Sequence, residues 1–153
     1  MMLMTAAAVA LLLQAAPPAK APAAKAPAAT AKAPAIAATD LPVTVTYKGK
    51  GTVDATHRVI VFLFADSNVS NQSRPLDKVY ASKSGETVTF KNVSSPVYVF
   101  AVYDPAGAYD GVSGPPPAGL PVAIYRQAPK GPPTAVKAGT LVKFTFDDSE
   151  KWK

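Results

Sequence analysis

The residues best suited to binding lie in one long segment, Asp104–Pro121, with the sequence DPAGAYDGVSGPPPAGLP. Its acidic residues flank a glycine-containing turn, its tyrosine supplies an aromatic ring, and its three consecutive prolines stiffen the chain. Compact domains seldom carry loops beyond about 12 to 15 residues, and binding is a common reason for them. We therefore predict a ligand- or partner-binding site formed by Asp104, Tyr109, Asp110, Pro116 and Tyr125. The alternative is that this segment only covers an apolar sheet.

The side chains of this sequence that could bind a metal ion are carboxylates. Calcium prefers carboxylate and carbonyl oxygens, which Asp104, Asp110 and the pair Asp147 and Asp148 could supply. The spacing of an EF-hand loop is absent, so solvated turn carboxylates are the favoured interpretation. One histidine and no cysteine exclude a zinc or copper site built from those ligands within one chain. We expect no metal site and no cofactor, with calcium as the alternative.

The sequence also contains few residues that could form a catalytic site. His57 lies beside Arg58 at the start of an apolar run, where an imidazole could bind an anion or transfer a proton near neutral pH. A surface turn residue is the favoured interpretation of this histidine. No G-x-S-x-G sequence marks a nucleophile. We therefore predict that the protein is not an enzyme and has no catalytic residues.

Strands must position these side chains, because the periodicity from residue 41 onward is two. Apolar and polar residues alternate in Val43–Tyr47, Thr87–Phe90 and Val142–Phe146, whereas Val59–Ala65 and Val97–Tyr103 are apolar throughout. Weaker candidate strands are Lys78–Ser82, Val122–Tyr125 and Thr134–Lys137. With no amphipathic helix, this pattern predicts an all-β fold, a single antiparallel β-sandwich of seven to eight strands.

The two wholly apolar runs also predict a second apolar surface. If they are neighbours in one sheet, either Ile60, Phe62 and Phe64 or their alternates face away from the core. An open patch of that kind marks an interaction surface unless something covers it. We expect the 104–121 segment, the 126–133 segment or a second subunit to cover it.

The N-terminal region differs in composition from the rest. Residues 1–15 are mostly apolar, which predicts a signal peptide, and are too few for a membrane-spanning helix of about 20 residues. Residues 16–40 are rich in Ala, Pro and Lys and predict a disordered, extended linker before a domain at 41–153. We expect an exported protein, periplasmic or secreted, without a membrane span. The alternative is an Ala-rich N-terminus of a cytosolic protein.

The balance of basic and acidic residues argues against one class of partner, nucleic acid. From Asp40 onward the chain has thirteen basic and ten acidic residues, and the other three lysines lie in the linker. A basic helix or a basic stripe interleaved with aromatic residues is absent, so nucleic acid is not an expected partner.

The stretch Gly85–Val93 followed by Val97–Asp104 resembles the hairpin of transthyretin-like domains, also called carboxypeptidase regulatory-like or prealbumin-like domains. Gly51–Val53 leading into the run at Val59 is similar to the first half of the same pattern. The resemblance implies a β-sandwich that serves as an accessory or binding module. The hydroxyisourate hydrolases of this group need more than one histidine and a C-terminal Tyr-Arg-Gly-Ser, whereas this chain has one histidine and ends differently.

These observations predict a non-catalytic exported binding or adaptor module of the cell envelope, with an envelope protein or carbohydrate as its partner. The alternative is a structural or assembly subunit. Such a subunit would self-associate into a homo-oligomer or join partner chains through its apolar sheet face or its edge strands.

Overall fold

The structure, a computed structural model, describes residues 37–94 and 96–153. The predicted signal peptide (1–15) and most of the predicted linker (16–40) lie outside the described residues. The strands of the described part are β1 (Leu41–Tyr47), β2 (Val59–Phe64), β3 (Asp77–Ala81), β4 (Glu86–Phe90), β5 (Tyr98–Tyr103), β6 (Val122–Ile124) and β7 (Val142–Phe146). The described residues contain no helix long and apolar enough to cross a membrane.

The strands form two sheets, with the orders β4-β1-β7 and β3-β2-β5-β6. Between the sheets lies the main core, in which Val43, Val61, Phe90 and Val99 are fully buried. The alternation in β1 explains its orientation, because Val43, Val45 and Tyr47 are buried while the threonines between them are half-buried. The predicted all-β sandwich is confirmed.

One strand pair departs from the antiparallel prediction. β1 pairs in parallel with β7, with Val43 opposite Val142, whereas every other pair of named strands is antiparallel. Parallel neighbours need a long crossover connection. Here the rest of the domain supplies it, because β1 and β7 are the first and last strands.

One of the three weaker strand candidates forms a single bridge and no strand. In the segment Thr134–Lys137, Val136 pairs with Val97 outside any named strand. Pro132 and Pro133 precede this segment and have no N–H group to donate to a ladder, which limits the length of the pairing.

The two apolar strands, β2 and β5, are paired neighbours and face two cores. Val59, Val61 and Leu63 enter the main core, while the intervening residues point to the opposite face of the sheet. There they join an outer cluster of buried side chains, namely Ile60, Phe62, Phe64, Phe100, Val102 and Val122. Since both faces are packed, neither strand needs a polar side.

Segments of the same chain cover this outer cluster. Tyr109 and Leu120 pack against it, which confirms that the 104–121 segment is a cover. Val69 from the β2–β3 loop and Trp152 also pack against it, and neither was predicted from the sequence. The 126–133 segment instead borders a separate groove beside β6 and β7.

Residues 37–40, which the sequence analysis placed in the linker, form a turn bonded to the domain. Asp40 N–H donates to the carbonyl of Ala37, and the carbonyl of Thr39 accepts from Val93 N–H at 2.8 Å. The Asp40 carboxylate also pairs with Lys91 at 2.6 Å. These contacts hold residues 37–40 against the sandwich.

Candidate functional site

A cleft of about 680 Å³ opens on the outer face of the four-stranded sheet. We call it the aromatic cleft. Its walls come from the β2–β3 loop and the start of β3, from residues 109–116, and from Trp152. Its aromatic lining residues are Phe62, Phe64, Phe100, Tyr109 and Trp152, and its polar or charged ones are Ser70, Asn71, Gln72, Ser73, Arg74, Asp77 and Lys78. An apolar floor with a few polar groups around it is the usual composition of a ligand site.

Asp104 sets the start of the long segment. It follows directly after β5 and is only 3% exposed. Its carboxylate accepts hydrogen bonds from the backbone N–H groups of Ala106, at 3.0 Å, and Tyr109, at 2.7 Å. Asp104 is one of the predicted binding residues, but its carboxylate is bonded inside the loop, where it orients Tyr109.

Asp110 closes the next turn and fixes it to the sheet. Its carboxylate accepts from the backbone N–H groups of Ser113 and Val112, at 2.9 and 2.8 Å, and from the Ser113 hydroxyl. These donors, that of Ser113 first, lower the pKa of Asp110 to about 2. Its backbone carbonyl accepts from Lys78 Nζ at 2.6 Å and from the Tyr80 hydroxyl at 2.7 Å. Asp110 therefore ties the loop to β3.

Tyr109 is the predicted residue that best fits a binding role. Its ring packs 6.4 Å from that of Phe62, and its hydroxyl donates to the carbonyl of Gly114 at 2.9 Å. Burial, followed by the nearby Asp110, raises the pKa of Tyr109 to about 12, so the phenol stays protonated at neutral pH. Pro116 is half-buried and lines the same cleft.

A glycine allows this loop to approach the sheet. Gly111 has φ +67°, a left-handed conformation that favours glycine. A Cβ atom at this position would lie 2.9 Å from the Phe62 ring and 3.3 Å from Ile60. The missing side chain therefore lets the loop rest directly on the outer cluster.

Two parts of the cleft were missed by sequence reasoning. In the β2–β3 loop, Ser70 N–H donates to Ser73 Oγ at 2.9 Å, while Ser73 N–H donates back to the Ser70 carbonyl at 3.0 Å. Trp152 is the chain's single tryptophan; its Nε1–H donates to Asn71 Oδ1 at 3.1 Å, and its ring packs edge-to-face on Phe100 at 5.7 Å. The sequence offered one signal for Trp152, namely a single tryptophan among polar residues, because tryptophan is enriched where proteins bind partners.

Tyr125 does not belong to the cleft. It follows β6 and packs against the main core, with its ring 5.9 Å from that of Phe144. It therefore lies on the side of the sheet opposite to the outer cluster. The five predicted residues divide into two that line the cleft (Tyr109 and Pro116), two that hold its loop (Asp104 and Asp110), and Tyr125 elsewhere.

His57 pairs with Asp54. Its Nδ1 lies 3.0 Å from the Asp54 carboxylate, which also accepts the backbone N–H groups of Thr56 and His57. The His57 backbone N–H is the largest cause that lowers the Asp54 pKa, to about 2. The pair is partly exposed, and the arrangement closes a local turn after β1.

The carboxylates considered for calcium are engaged elsewhere. Asp148 accepts from the Tyr47 hydroxyl and from Lys50 N–H, and Asp147 accepts from Ser149 N–H. Within residues 37–94 and 96–153, no group of three or more acidic, histidine or cysteine side chains is placed to hold a metal ion.

A second groove, of about 450 Å³, runs beside the edge strands β6 and β7. Arg126 and Glu150 pair across it at 3.3 Å, and Gln127 and Phe144 also line it. Fewer aromatic rings reach this groove than reach the aromatic cleft.

Comparison with protein-family models, with curated proteins and with solved structures gives no match. The similarity to transthyretin-like domains therefore stays a prediction.

Proposed function

We propose that this protein is a non-catalytic binding module, exported to the cell envelope, and that it holds an envelope component in the aromatic cleft. The observation that carries the proposal is the aromatic lining of the cleft together with the hydrogen bonds that hold its walls. Aromatic rings form its floor, and hydrogen bonds within the protein hold its walls. A site that is ordered before binding loses less conformational entropy when a ligand enters.

The composition of the long segment supports the same role. Its two aspartates are used to hold Tyr109 and the following turn in place, and its prolines stiffen the part that lines the cleft. A loop that only covered apolar side chains would not need an open cleft between itself and the β2–β3 loop. The resemblance to transthyretin-like accessory domains points in the same direction.

The alternative function, assembly through an apolar sheet face, has less support. The outer cluster is already packed under Tyr109, Leu120 and Trp152, so that face is not free for a second subunit. Edge strand β7 exposes Lys143, its second residue, and a charged residue on an edge strand opposes pairing with another chain. The large exposed apolar residues of the described part are Leu76, Val112 and Leu141, which are scattered along the chain.

A matched pair of variants tests the location of the site. Gln72→Phe places a ring at the edge of the aromatic cleft, and Gln127→Phe makes the same change at the groove beside β6 and β7. Both glutamines are exposed. Binding of solubilised envelope polysaccharide and envelope protein fractions is measured for each variant and for the wild type by titration calorimetry.

We expect Gln72→Phe to weaken binding and Gln127→Phe to leave it unchanged. Equal binding by the wild type and both variants would refute the assignment of the aromatic cleft. Turnover of any component in the fractions would refute the non-catalytic role.

A further inference from the structure

The polar side chains of the aromatic cleft are concentrated in one stretch of the chain. Ser70, Asn71, Gln72 and Ser73 are consecutive, and all four line the cleft. They offer hydroxyl and amide groups, which can both donate and accept hydrogen bonds. Since Asn71 Oδ1 accepts from Trp152, the donors of the Asn71 amide nitrogen remain available at the cleft surface. Groups of this kind are complementary to a ligand rich in hydroxyls.

Trp152 supplies the complementary apolar surface. It is half-buried, and its hydrogen bond to Asn71 and its edge-to-face contact with Phe100 fix the ring. The same ring lines a shallower adjoining pocket with Val69 and Ser70. A fixed, partly exposed indole is a flat apolar platform, on which the C–H face of a sugar ring can stack while the hydroxyls of the sugar reach the polar residues beside it.

The charged groups around the cleft are mainly basic. Arg74 and Lys78 line it, Lys151 lines the adjoining pocket, and Asp77 is the one acidic side chain in the lining of either. The Asp77 carboxylate accepts Lys78 N–H at 2.7 Å. Arg74 is exposed and forms no ion pair with another described residue. A free guanidinium at the edge of a cleft is suited to bidentate pairing with a carboxylate.

We propose that the ligand is an acidic oligosaccharide, one of whose rings stacks on Trp152 and one of whose carboxylates pairs with Arg74. The proposal rests on the binding function assigned to the aromatic cleft. A purely apolar ligand would leave the Asn71 amide nitrogen and the Gln72 side chain without a partner. A cationic ligand would be repelled by Arg74 and Lys78. Lys78 is held by the carbonyl of Asp110 at 2.6 Å and strengthens the positive potential without being the primary partner.

The single tryptophan provides the assay, because it lines the aromatic cleft and the pocket that adjoins it. Hexasaccharides of galacturonate, mannuronate and guluronate are titrated into the protein, and each is compared with its carboxyl-reduced counterpart, which has the same backbone without charge. At least one acidic hexasaccharide should shift or quench Trp152 emission and bind about tenfold more tightly than its neutral counterpart. Raising the salt from about 20 to about 200 mM should weaken acidic binding.

Arg74→Gln should lose about tenfold in affinity for the acidic sugar and little for the neutral one. Arg126→Gln, at the other groove, is the matched control and should bind as the wild type does. Equal binding of acidic and reduced sugars, or no response to any acidic hexasaccharide, would overturn the proposal. If Gln72→Phe still blocks envelope fractions in that case, the binding function stands and only the ligand class is wrong; if it does not, both fail.

Discussion

Replacing Gly111 with alanine tests how closely the long segment lies against the sheet. The added Cβ would lie 2.9 Å from Cζ and 3.0 Å from Cε1 of Phe62, closer than a carbon atom can stay. Phe62 is only 3% exposed and belongs to the outer cluster, so a shift of its ring would disturb the side chains packed around it. Gly111 also has φ +67°, which strains any other residue.

Gly85→Ala separates the two effects. Gly85 has φ +82°, but the nearest atom to an added Cβ is Thr46 Oγ1 at 3.8 Å, so the substitution introduces strain without a clash. The left-handed conformation should reduce the free energy of unfolding by about 1–2 kcal/mol in either variant. Overpacking against Phe62 should add about 1–3 kcal/mol in Gly111→Ala alone.

Urea denaturation of both variants, followed by circular dichroism and by Trp152 fluorescence, measures the difference. We expect Gly111→Ala to be the less stable variant and to show an altered Trp152 emission in the native state, because the displaced loop borders the same cleft. Equal losses of stability in the two variants, with native emission unchanged, would refute the close packing of the loop on the outer cluster.

Three further predictions concern acid, the loop and the core. The pKa of Asp110 is lowered from 3.8 to about 2, so the stability that its carboxylate contributes is complete above about pH 4 and is lost as the pH falls toward 2. The melting temperature of Asp110→Asn should therefore fall less than that of the wild type between about pH 4 and about pH 2. An equal fall in both proteins would contradict this prediction. Asp104→Ala removes two hydrogen bonds that partly buried backbone N–H groups donate to a charged carboxylate, and should cost about 1–3 kcal/mol in urea unfolding. A loss below about 0.5 kcal/mol would show that water replaces the carboxylate. Phe90→Ala empties a fully buried site of the main core and should cost about 3–5 kcal/mol in the same assay, and a much smaller loss would contradict its placement.

The periodicity of the sequence predicts most of the strands because each strand has a core face. Alternation in β1, β4 and β7 follows from one buried face, and the apolar runs of β2 and β5 follow from two. The parallel pairing of β1 with β7 could not be predicted from these patterns, since alternation fixes which face of a strand is buried and not the direction of its neighbour.

The candidate site is only partly encoded in local patterns. The length of the 104–121 segment points to Tyr109 and Pro116, but the roles of Asp104 and Asp110 depend on backbone N–H groups whose positions only the folded loop defines. Asn71 and Trp152 are distant in sequence and meet through tertiary structure. No spacing rule links them, so a single sequence could not bring them together.

The pairing of the first strand with the last has a consequence for how the protein is made. Val43 in β1 pairs with Val142 in β7, so this half of the three-stranded sheet stays open until about 100 further residues have been synthesised, at about 5–20 residues per second. The next residues to emerge include Trp152, which completes the aromatic cleft. The three-stranded sheet and the aromatic cleft are therefore completed by residues that lie close together in sequence, and a chain that stops before β7 lacks both.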